Sequence, residues 1–597
     1  MPKIFIKNQN RTLEYSKDKS LLEILLQNEI FVNNPCNGKG SCGKCKVKVL
    51  EGNLEEISDT EKKLLKKEEL HSGIRLSCLV TPKEDIVIEI LHKETKHKIL
   101  TTGYIPKFEF KPSIYKKVFN IEKPTLDNQN SFEDSICDTF NIKSINWNIL
   151  KEHEFLHGKV TGVFNNKELI GIEIGDTKDK LYGVAIDIGT TTVVVSLIDM
   201  ITGKELAIDS TINPQKKFGL DVLTRITYEL ENPNGSREEL QSVIVNAINK
   251  IIKNMCGKLN INIKNIYEIS IAANSTMMHF LLGIDGTYIG KSPFAPMFIK
   301  SKNIESKDIG LIGSNFCRLY CLPSVSSYIG ADIVAGAYVS KLEEAKKNVL
   351  FIDIGTNGEI VLSNHGKLLS CSCAAGPALE GMNISSGMRA AEGAIEDVKI
   401  TEKGIEIKVI GDKEPIGVCG SGILAVVKEL IRTKLVKKDG AFIKKEKIDE
   451  SDYRYDMIQL NGRKREFVLD NRGKQLLITQ SDVRQVQLAK GAILSGFYAL
   501  LKKANIDMDS LDKVVIAGQF GAHLSSDSLV GIGILPKEVE NKLEYVGNSS
   551  KTGAYMCLMS SDVKKRIEKL AHKIDYMELG ASKGYERLFA ECLLFSR

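Results

Sequence analysis

No run of about 18 uninterrupted apolar residues occurs anywhere in the 597-residue chain, so the sequence reads against a membrane-spanning helix. The opening MPKIFIKNQNRTLEYS also lacks the apolar centre of a secretory signal, and the expectation is a cytoplasmic protein. Charge of one sign is scarce: 82 Lys+Arg against 76 Asp+Glu leave a formal +6, with no long basic tract. So diffuse a charge argues against nucleic acid as a partner. Two nucleotide signatures are missing as well. There is no G-x4-G-K-[ST], which excludes a P-loop, and the strand-to-helix turns carry no G-x-G-x-x-G of a dinucleotide fold. What remains is of ordinary globular composition, 43% apolar and 26% charged, and long enough for roughly three to five folding units.

The 13 cysteines are too unevenly placed for a disulfide framework. Cys36, Cys42, Cys45 and Cys78 lie in PCNGKGSCGKCKV and RLSCLV, as C-x5-C-x2-C followed at a distance by a fourth. The pattern is one residue longer in its first gap than the plant-type [2Fe–2S] spacing. A loop that turns three thiolates toward one cluster needs tight curvature, and Gly38, Gly40 and Gly43 supply conformations that a β-carbon would forbid. They also leave backbone N–H groups free to point at cluster sulfurs. Zinc is the alternative, but a structural zinc site pairs two short motifs, whereas Cys78 stands alone. KIFIKN and RTLEYSK alternate like a hairpin, LLEILLQNEIFV has helical spacing, and KCKVKVLEG and DIVIEIL read as strands. In this order residues 1–92 resemble β-grasp [2Fe–2S] ferredoxins of the adrenodoxin-like branch, which implies a one-electron carrier. The segment's charges nearly balance, unlike the acidic surface that suits a freely diffusing carrier, so its own chain is a candidate partner.

Residues 93–125 hold three prolines, many lysines and no sustained periodicity, and read as a linker. Residues 126–178 read as a small α/β middle domain around Trp147 and KVTGVFNNKELIGIEIG, without legible chemistry. His153 and His157 sit four apart there but lack a third ligand, and a solvated pair is the expectation.

The rest of the chain contains a repeat. LYGVAIDIGTTTVVVSLID at 181–199 and NVLFIDIGTNGEIVLSNHG at 348–366 share a buried strand, then Asp-Ile-Gly-Thr, then a second strand. Each reads as a β-hairpin at the head of an α/β lobe, lobe 1 over 179–345 and lobe 2 over 346–597. Gly189, Thr190 and Thr191, and equally Gly355, Thr356 and Asn357, offer backbone N–H and polar side chains to a phosphate with little bulk in the way. Asp187 and Asp353 would then hold a hydrated Mg²⁺ between the lobes. One such turn alone is equally a plain hairpin; two copies behind buried strands favour phosphate.

This arrangement resembles the acetate and sugar kinase/Hsp70/actin superfamily, whose two related lobes clamp a nucleotide. The resemblance places VSSYIGADIVAGAYVSKL as an interlobe helix, with Asp332 positioned to orient a water or a Mg²⁺ ligand. It makes DKVVIAGQFGAHL, with Gly518 and Gly521, similar to the adenosine loop. In GVCGSGILAVVKEL, Gly420 and Gly422 either contact phosphate or pack helix on strand, and both readings stand. Cys371, Cys373 and Cys419 read as small buried residues.

A ferredoxin module joined to such an ATPase resembles the reductive activators of corrinoid enzymes. NPQKKFGLDVLTRI, AANSTMMHFLLG, CAAGPALEGMNISSGMRAAEGAIED, ITQSDVRQVQLAKGAI and VGNSSKTGAYM look like that family too, while AGQFG departs from it by lacking a second glycine before the aromatic residue. The resemblance implies an α/β and α+β multidomain chain: a β-grasp [2Fe–2S] domain, a small middle domain and a two-lobed actin-like ATPase domain over 179–597. It implies a [2Fe–2S] cluster on Cys36, Cys42, Cys45 and Cys78, with ATP and Mg²⁺ served by Asp187, Asp332 and Asp353. The implied activity is delivery of one electron to the inactive Co(II) corrinoid of a methyltransferase-system protein, restoring Co(I). The partners would be that corrinoid protein and an upstream low-potential electron donor, with homodimerisation left open. Two other classes remain: a small-molecule kinase with a regulatory redox domain, and a nucleotide-dependent redox-sensing interaction protein.

Overall fold

The computed structural model describes residues 2–15, 18–28, 30, 32, 38, 40, 43, 45–65, 67–91, 103–152, 157–462, 464–473, 475–518 and 524–595. It comprises two compact units, Met1–His97 with Pro214–Ser236, and Lys98–Asn213 with Arg237–Arg597. No helix among the described residues is long and apolar enough to cross a membrane.

The first unit is built on a five-stranded sheet in the order Arg11–Glu14, Lys3–Ile6, Ile86–Ile90, Lys46–Glu51, Ile74–Leu76. Lys3–Ile6 and Ile86–Ile90 run parallel at its centre and the other pairs are antiparallel, the mixed order of a β-grasp. Period-two alternation sends Ile4, Ile6, Ile86, Ile88 and Ile90 to one side, where they pack with Leu21, Leu22, Ile24 and Leu25 of the helix Leu21–Gln27. That helix starts in a capping box: Ser20 accepts from Glu23 N–H while the Glu23 carboxylate takes the Ser20 N–H. A second box joins Ser58 to Glu61, and the Glu61 side chain, fully buried, also receives Arg75 Nε at 2.9 Å, Arg75 Nη2 at 3.0 Å and Leu76 N–H at 3.1 Å. A buried carboxylate so fully paired anchors the strand two residues before Cys78, and removing one partner of such a pair costs about 3–5 kcal/mol. In Pro214–Ser236, the helix Val222–Glu231 is capped by Asp221, and the buried Arg225 donates Nε to Gly219 O at 2.9 Å.

The second unit begins with a segment that the prolines marked as linker. Gly103–Lys111 is nevertheless tied down: Tyr104 N–H donates to Val546 O at 3.0 Å, Lys111 N–H to Met559 O at 2.9 Å, and Ser561 N–H to Lys111 O at 2.8 Å. Ile114–Ile121, inside the same stretch, is a strand antiparallel to Gly158–Asn165, which pairs in turn with Glu168–Ile174. Only the two terminal isoleucines of that first strand are buried, so it left no apolar period to read. The helix Phe132–Phe140 covers this small sheet, with Phe140 and Phe119 at 4.2 Å between ring centroids. Trp147 is exposed, as is His157; His153 lies outside the described residues.

Two six-stranded sheets follow the same plan. The first runs Glu205–Ile212, Thr192–Asp199, Tyr182–Ile188, Ile266–Ala273, Arg318–Cys321, Lys302–Glu305. The second runs Leu543–Gly547, Leu511–Ala517, Asn348–Ile354, Gly358–Asn364, Lys367–Cys373, Ile574–Tyr576. In each, a hairpin and a third antiparallel strand precede a fourth strand that pairs parallel with the first, and a later strand, Arg318–Cys321 or Leu543–Gly547, pairs parallel with the fourth. The expected repeat is therefore a duplication of a whole lobe, and it extends to a helix after that later strand: Ala331–Val339 and Ser549–Met559. These two helices meet through small residues. A β-carbon on Gly553 would overlap Ala335, and one on Gly336 would overlap Phe351.

Candidate functional site

Cys36 and Cys42 lie outside the described residues, as does Gly521. Cys45 and Cys78 come together at the end of the ferredoxin sheet, where Ser77 N–H donates to Cys45 O at 2.8 Å and the two Sγ atoms stand 3.2 Å apart. No disulfide joins them. The hydrogen bond from Cys78 outweighs burial and lowers the Cys45 thiol to about 6, which favours the thiolate that metal ligation requires. Gly38, Gly40 and Gly43 all have left-handed backbones, φ 81°, 68° and 64°, the conformations that a β-carbon would disfavour.

The second centre is the cleft where the duplicated turns meet. Asp187 and Asp353 occupy equivalent places near the ends of the first strands, each beside its parallel neighbour, Ala272 and Ala517. The side chain of Asp187 is held by the opposite repeat, with Asn548 Nδ2 donating to Oδ2 at 2.9 Å and Ser550 Oγ to Oδ1 at 2.7 Å. Asp332 opens the first interlobe helix and accepts the Ile333 N–H at 2.9 Å. Burial raises the Asp187 carboxyl, against the pull of Ser550, Asn548 and the Lys551 charge. Burial and repulsion from Asp187 push Asp332 to about 7, and burial with repulsion from Asp332 and Asp187 pushes Asp353 to about 8. A fourth carboxylate belongs to this group: Glu359, the cross-strand partner of Asp353, is raised by burial and by Asp332 and Asp353.

Around these acids the turns are tightly specified. Gly189 N–H closes the first hairpin on Thr192 O at 2.8 Å, and Gly355 N–H bonds Asn357 O at 2.9 Å in the second. Asn274 Nδ2 donates to Thr190 Oγ1 at 3.0 Å. Thr191 Oγ1 and Thr356 Oγ1 both donate to Glu380. Gly518, φ 87°, has no room for a side chain, since a β-carbon would overlap the Asp353 carboxylate. Gly420 and Gly422 sit so close to Leu379 O and Ile395 O that β-carbons would overlap them, and this backbone packing accounts for both glycines. Cys371 and Cys373 are buried beside Gly496 in the second lobe's core, and Cys419 is buried at the start of the helix Gly420–Arg432.

Asn274, Glu359, Glu380, Asn548 and Ser550 escaped the sequence reading. Asn548 carried a usable signal, an asparagine placed to cap a helix just after a short strand. Glu380 had none, because a single acid in a glycine-rich run has no local pattern.

Comparisons with known proteins agree with this anatomy. Residues 4–83 match the 2Fe-2S iron-sulfur cluster binding domain, 182–345 the RACo middle region, and 347–597 the C-terminal domain of RACo, the ASKHA domain. The corrinoid activation enzyme RamQ of Eubacterium limosum is 32% identical over 574 residues, 92% of either chain. A reductase of Methanosarcina barkeri named for the Co(II) methylated amine-specific corrinoid protein is 22% identical over 442 residues, 68% of this chain and 76% of its own. The solved structure of a reductive activator for corrinoid, iron-sulfur protein superposes with a TM-score of 0.72 at 31% identity, covering 100% of this chain and 98% of that one. Likeness sustained from the ferredoxin sheet through both lobes of the duplicated ATPase fold means that this chain belongs to the RACo family of reductive activators of corrinoid proteins.

Proposed function

We propose that this chain is an ATP-dependent activator that restores Co(I) in the corrinoid protein of a methyltransferase system, delivering one electron through its N-terminal ferredoxin unit. The observation that carries the reading is the covalent union of a paired-thiol loop at Cys45 and Cys78 with a duplicated acid-lined cleft at Asp187 and Asp353. A [2Fe–2S] cluster held by Cys36, Cys42, Cys45 and Cys78 would supply the one-electron couple. The left-handed glycines and the acidified Cys45 thiol fit that group.

In the cleft, desolvation raises the proton affinity of four half-buried carboxyl groups, Asp332, Asp353 and Glu359 are raised further by their neighbours' charges, and a divalent cation relieves such repulsion. No three His, Cys, Asp or Glu side chains among the described residues converge as a direct metal cage. That suits Mg²⁺, which keeps several waters and takes phosphate oxygens, with Asp187 and Asp353 holding it through water. Gly189, Thr190 and Thr191, with Gly355, Thr356 and Asn357, would receive the phosphates. Gly518 and Gly521 would border the nucleoside, and Asp332 would orient the attacking water. Hydrolysis then breaks the terminal P–O bond of ATP, giving ADP and phosphate.

Energy is the reason for joining the two activities. Each 0.1 V uphill costs about 2.3 kcal/mol per electron, so reducing a low-potential Co(II) stalls unless nucleotide-dependent states are coupled to it. The partners in this scheme are the corrinoid protein and an upstream low-potential electron donor, and the setting is the cytoplasm. The test is to mix the reduced protein anaerobically with its Co(II) partner and follow Co(I) absorption. Accumulation with ATP and Mg²⁺ but not without them is expected; equal accumulation without nucleotide overturns the reading.

A further inference from the structure

Glu380 lies in neither phosphate turn, yet its two oxygens serve one turn each. Oε2 accepts from Thr191 Oγ1 at 3.0 Å, and Oε1 accepts from Thr356 Oγ1. Thr191 follows the strand Tyr182–Ile188 of the first lobe, and Thr356 follows Asn348–Ile354 of the second. One carboxylate, 1% exposed, therefore ties the two lobes together at the point where their phosphate turns face the cleft.

Its seat is stiff. Glu380 ends the short turn Pro377–Glu380, and the next residue, Gly381, is left-handed at φ 74° with Met388 O where a β-carbon would fall. From behind, Gly420 presses on Leu379 O, so the helix Gly420–Arg432 wedges the turn in place. The charge is provided for as well: Arg389 is depressed by burial and held up by the Glu380 charge. A buried carboxylate persists where its lone pairs and charge are met, and here two hydroxyls and a guanidinium meet them.

We propose that Glu380 is a positioning residue, an interlobe clasp that sets the separation of the two phosphate turns and thereby the rates at which nucleotide is turned over and released. The inference rests on the nucleotide reading of the cleft. Its physical basis is differential. With the turns together, one carboxylate accepts two charge-assisted hydrogen bonds; with the lobes apart, it cannot reach both threonines. The clasp thus stabilises only the closed arrangement, which is the condition for shifting a population. Glu380 acts through the threonines rather than on phosphate, because an anion against the phosphates would repel them.

The test compares the full-length wild type with Glu380→Gln, Glu380→Ala, Thr191→Val and Thr356→Val. Release of a fluorescent ADP analogue would be followed by stopped flow, and kcat and KM for ATP measured alongside. Glutamine can span the same gap with two neutral bonds, its oxygen accepting from one threonine and its amide donating to the other; alanine spans nothing. At about 1.4 kcal/mol per tenfold, breaking the clasp at any one point should speed release by about tenfold, since a tie lost at one end no longer joins the lobes. The expected order is wild type slowest, Gln intermediate and Ala fastest, with kcat/KM falling in the same order. Either threonine change alone should speed release about tenfold, yet add nothing in the Glu380→Ala background. A role confined to folding would not produce that non-additivity. Wild-type release from Glu380→Ala, or threonine effects that persist undiminished in it, overturns the clasp. Should Glu380→Ala fail to fold, the threonine pair decides: opening at either end breaks the same clasp, so the double change should release little faster than each single one, and fully additive effects overturn the proposal. Failure of the wild type to bind the analogue at all is a separate outcome. It removes the nucleotide reading itself and the clasp with it.

Discussion

A carboxyl group buried among others holds its proton to higher pH than it would in water, and this gives the cleft a measurable signature. Asp332 and Asp353 are pushed from 3.8 to about 7 and about 8 by burial and by their neighbours' charges. Both shifts are upward. Between roughly pH 4 and 8 the folded chain therefore binds more protons than the unfolded chain, so their contribution is full below the unfolded pKa and is lost as pH rises through the folded one. Within that window each group changes stability by about 1.4 kcal/mol per pH unit. Calorimetric melting of the nucleotide-free protein should show the ATPase transition falling from roughly pH 5 to 8, and Asp353→Asn should flatten the fall. A transition that rises across this range in the wild type would mean that the acids are ionised and compensated by a bound cation. Asp187 and Asp353 were legible in sequence because each closes an apolar strand ahead of a Gly-Thr turn, whereas Asp332, at the start of its helix, was singled out only through the family resemblance. Glu359, which shares their repulsion, was not legible, since a glutamate on a hairpin strand reads as solvated until Asp353 is seen opposite it and the Asp332 charge is seen to act on it.

Elements were legible where burial imposes a period and illegible where backbone pairing does the work. The strands around both Asp-Ile-Gly-Thr turns, and the ferredoxin hairpin, announce themselves by apolar runs or alternation. The strap Gly103–Lys111 has no such pattern, because it is fixed by main-chain bonds to the strand Leu543–Gly547 at one end and to Met559 and Ser561 at the other, and by the Lys111–Asp562 ion pair. Its glycine has a mechanical meaning. A β-carbon on Gly103 would stand 2.5 Å from Asn548 O and 2.6 Å from Thr552 Oγ1, both under van der Waals contact. Asn548 is also the residue whose side chain steadies Asp187. Gly103→Val should therefore displace that turn and lower ATP hydrolysis several-fold, with a smaller loss for Gly103→Ala, while the visible absorption of the iron–sulfur unit stays unchanged. Unaltered hydrolysis in Gly103→Val would show that the strap yields without moving Asn548.

At the scale of the whole molecule, the duplication interlocks the two lobes, since each supplies residues that hold the other's turn. Asp187 of the first lobe is held by Asn548 and Ser550 of the second, and Glu380 of the second reaches Thr191 of the first. A nucleotide bridging the turns must therefore favour one separation of the lobes over another. If the corrinoid partner also prefers that separation, the two ligands are coupled, and coupling free energy is reciprocal. A coupling of about 1–3 kcal/mol, typical of such systems, corresponds to roughly a 5- to 150-fold change in affinity. The expected result is that a non-hydrolysable ATP analogue tightens binding of the Co(II) partner by some factor in that range. The partner must then tighten binding of the analogue by the same factor, measured at the same ionic strength by titration in both orders. Rates of hydrolysis need not obey this symmetry, so equilibrium affinities are the quantities to compare. Partner affinity that is indifferent to the analogue would leave lobe closure with no means of acting on the corrinoid, and the energy of ATP would have to enter at a later step than complex formation.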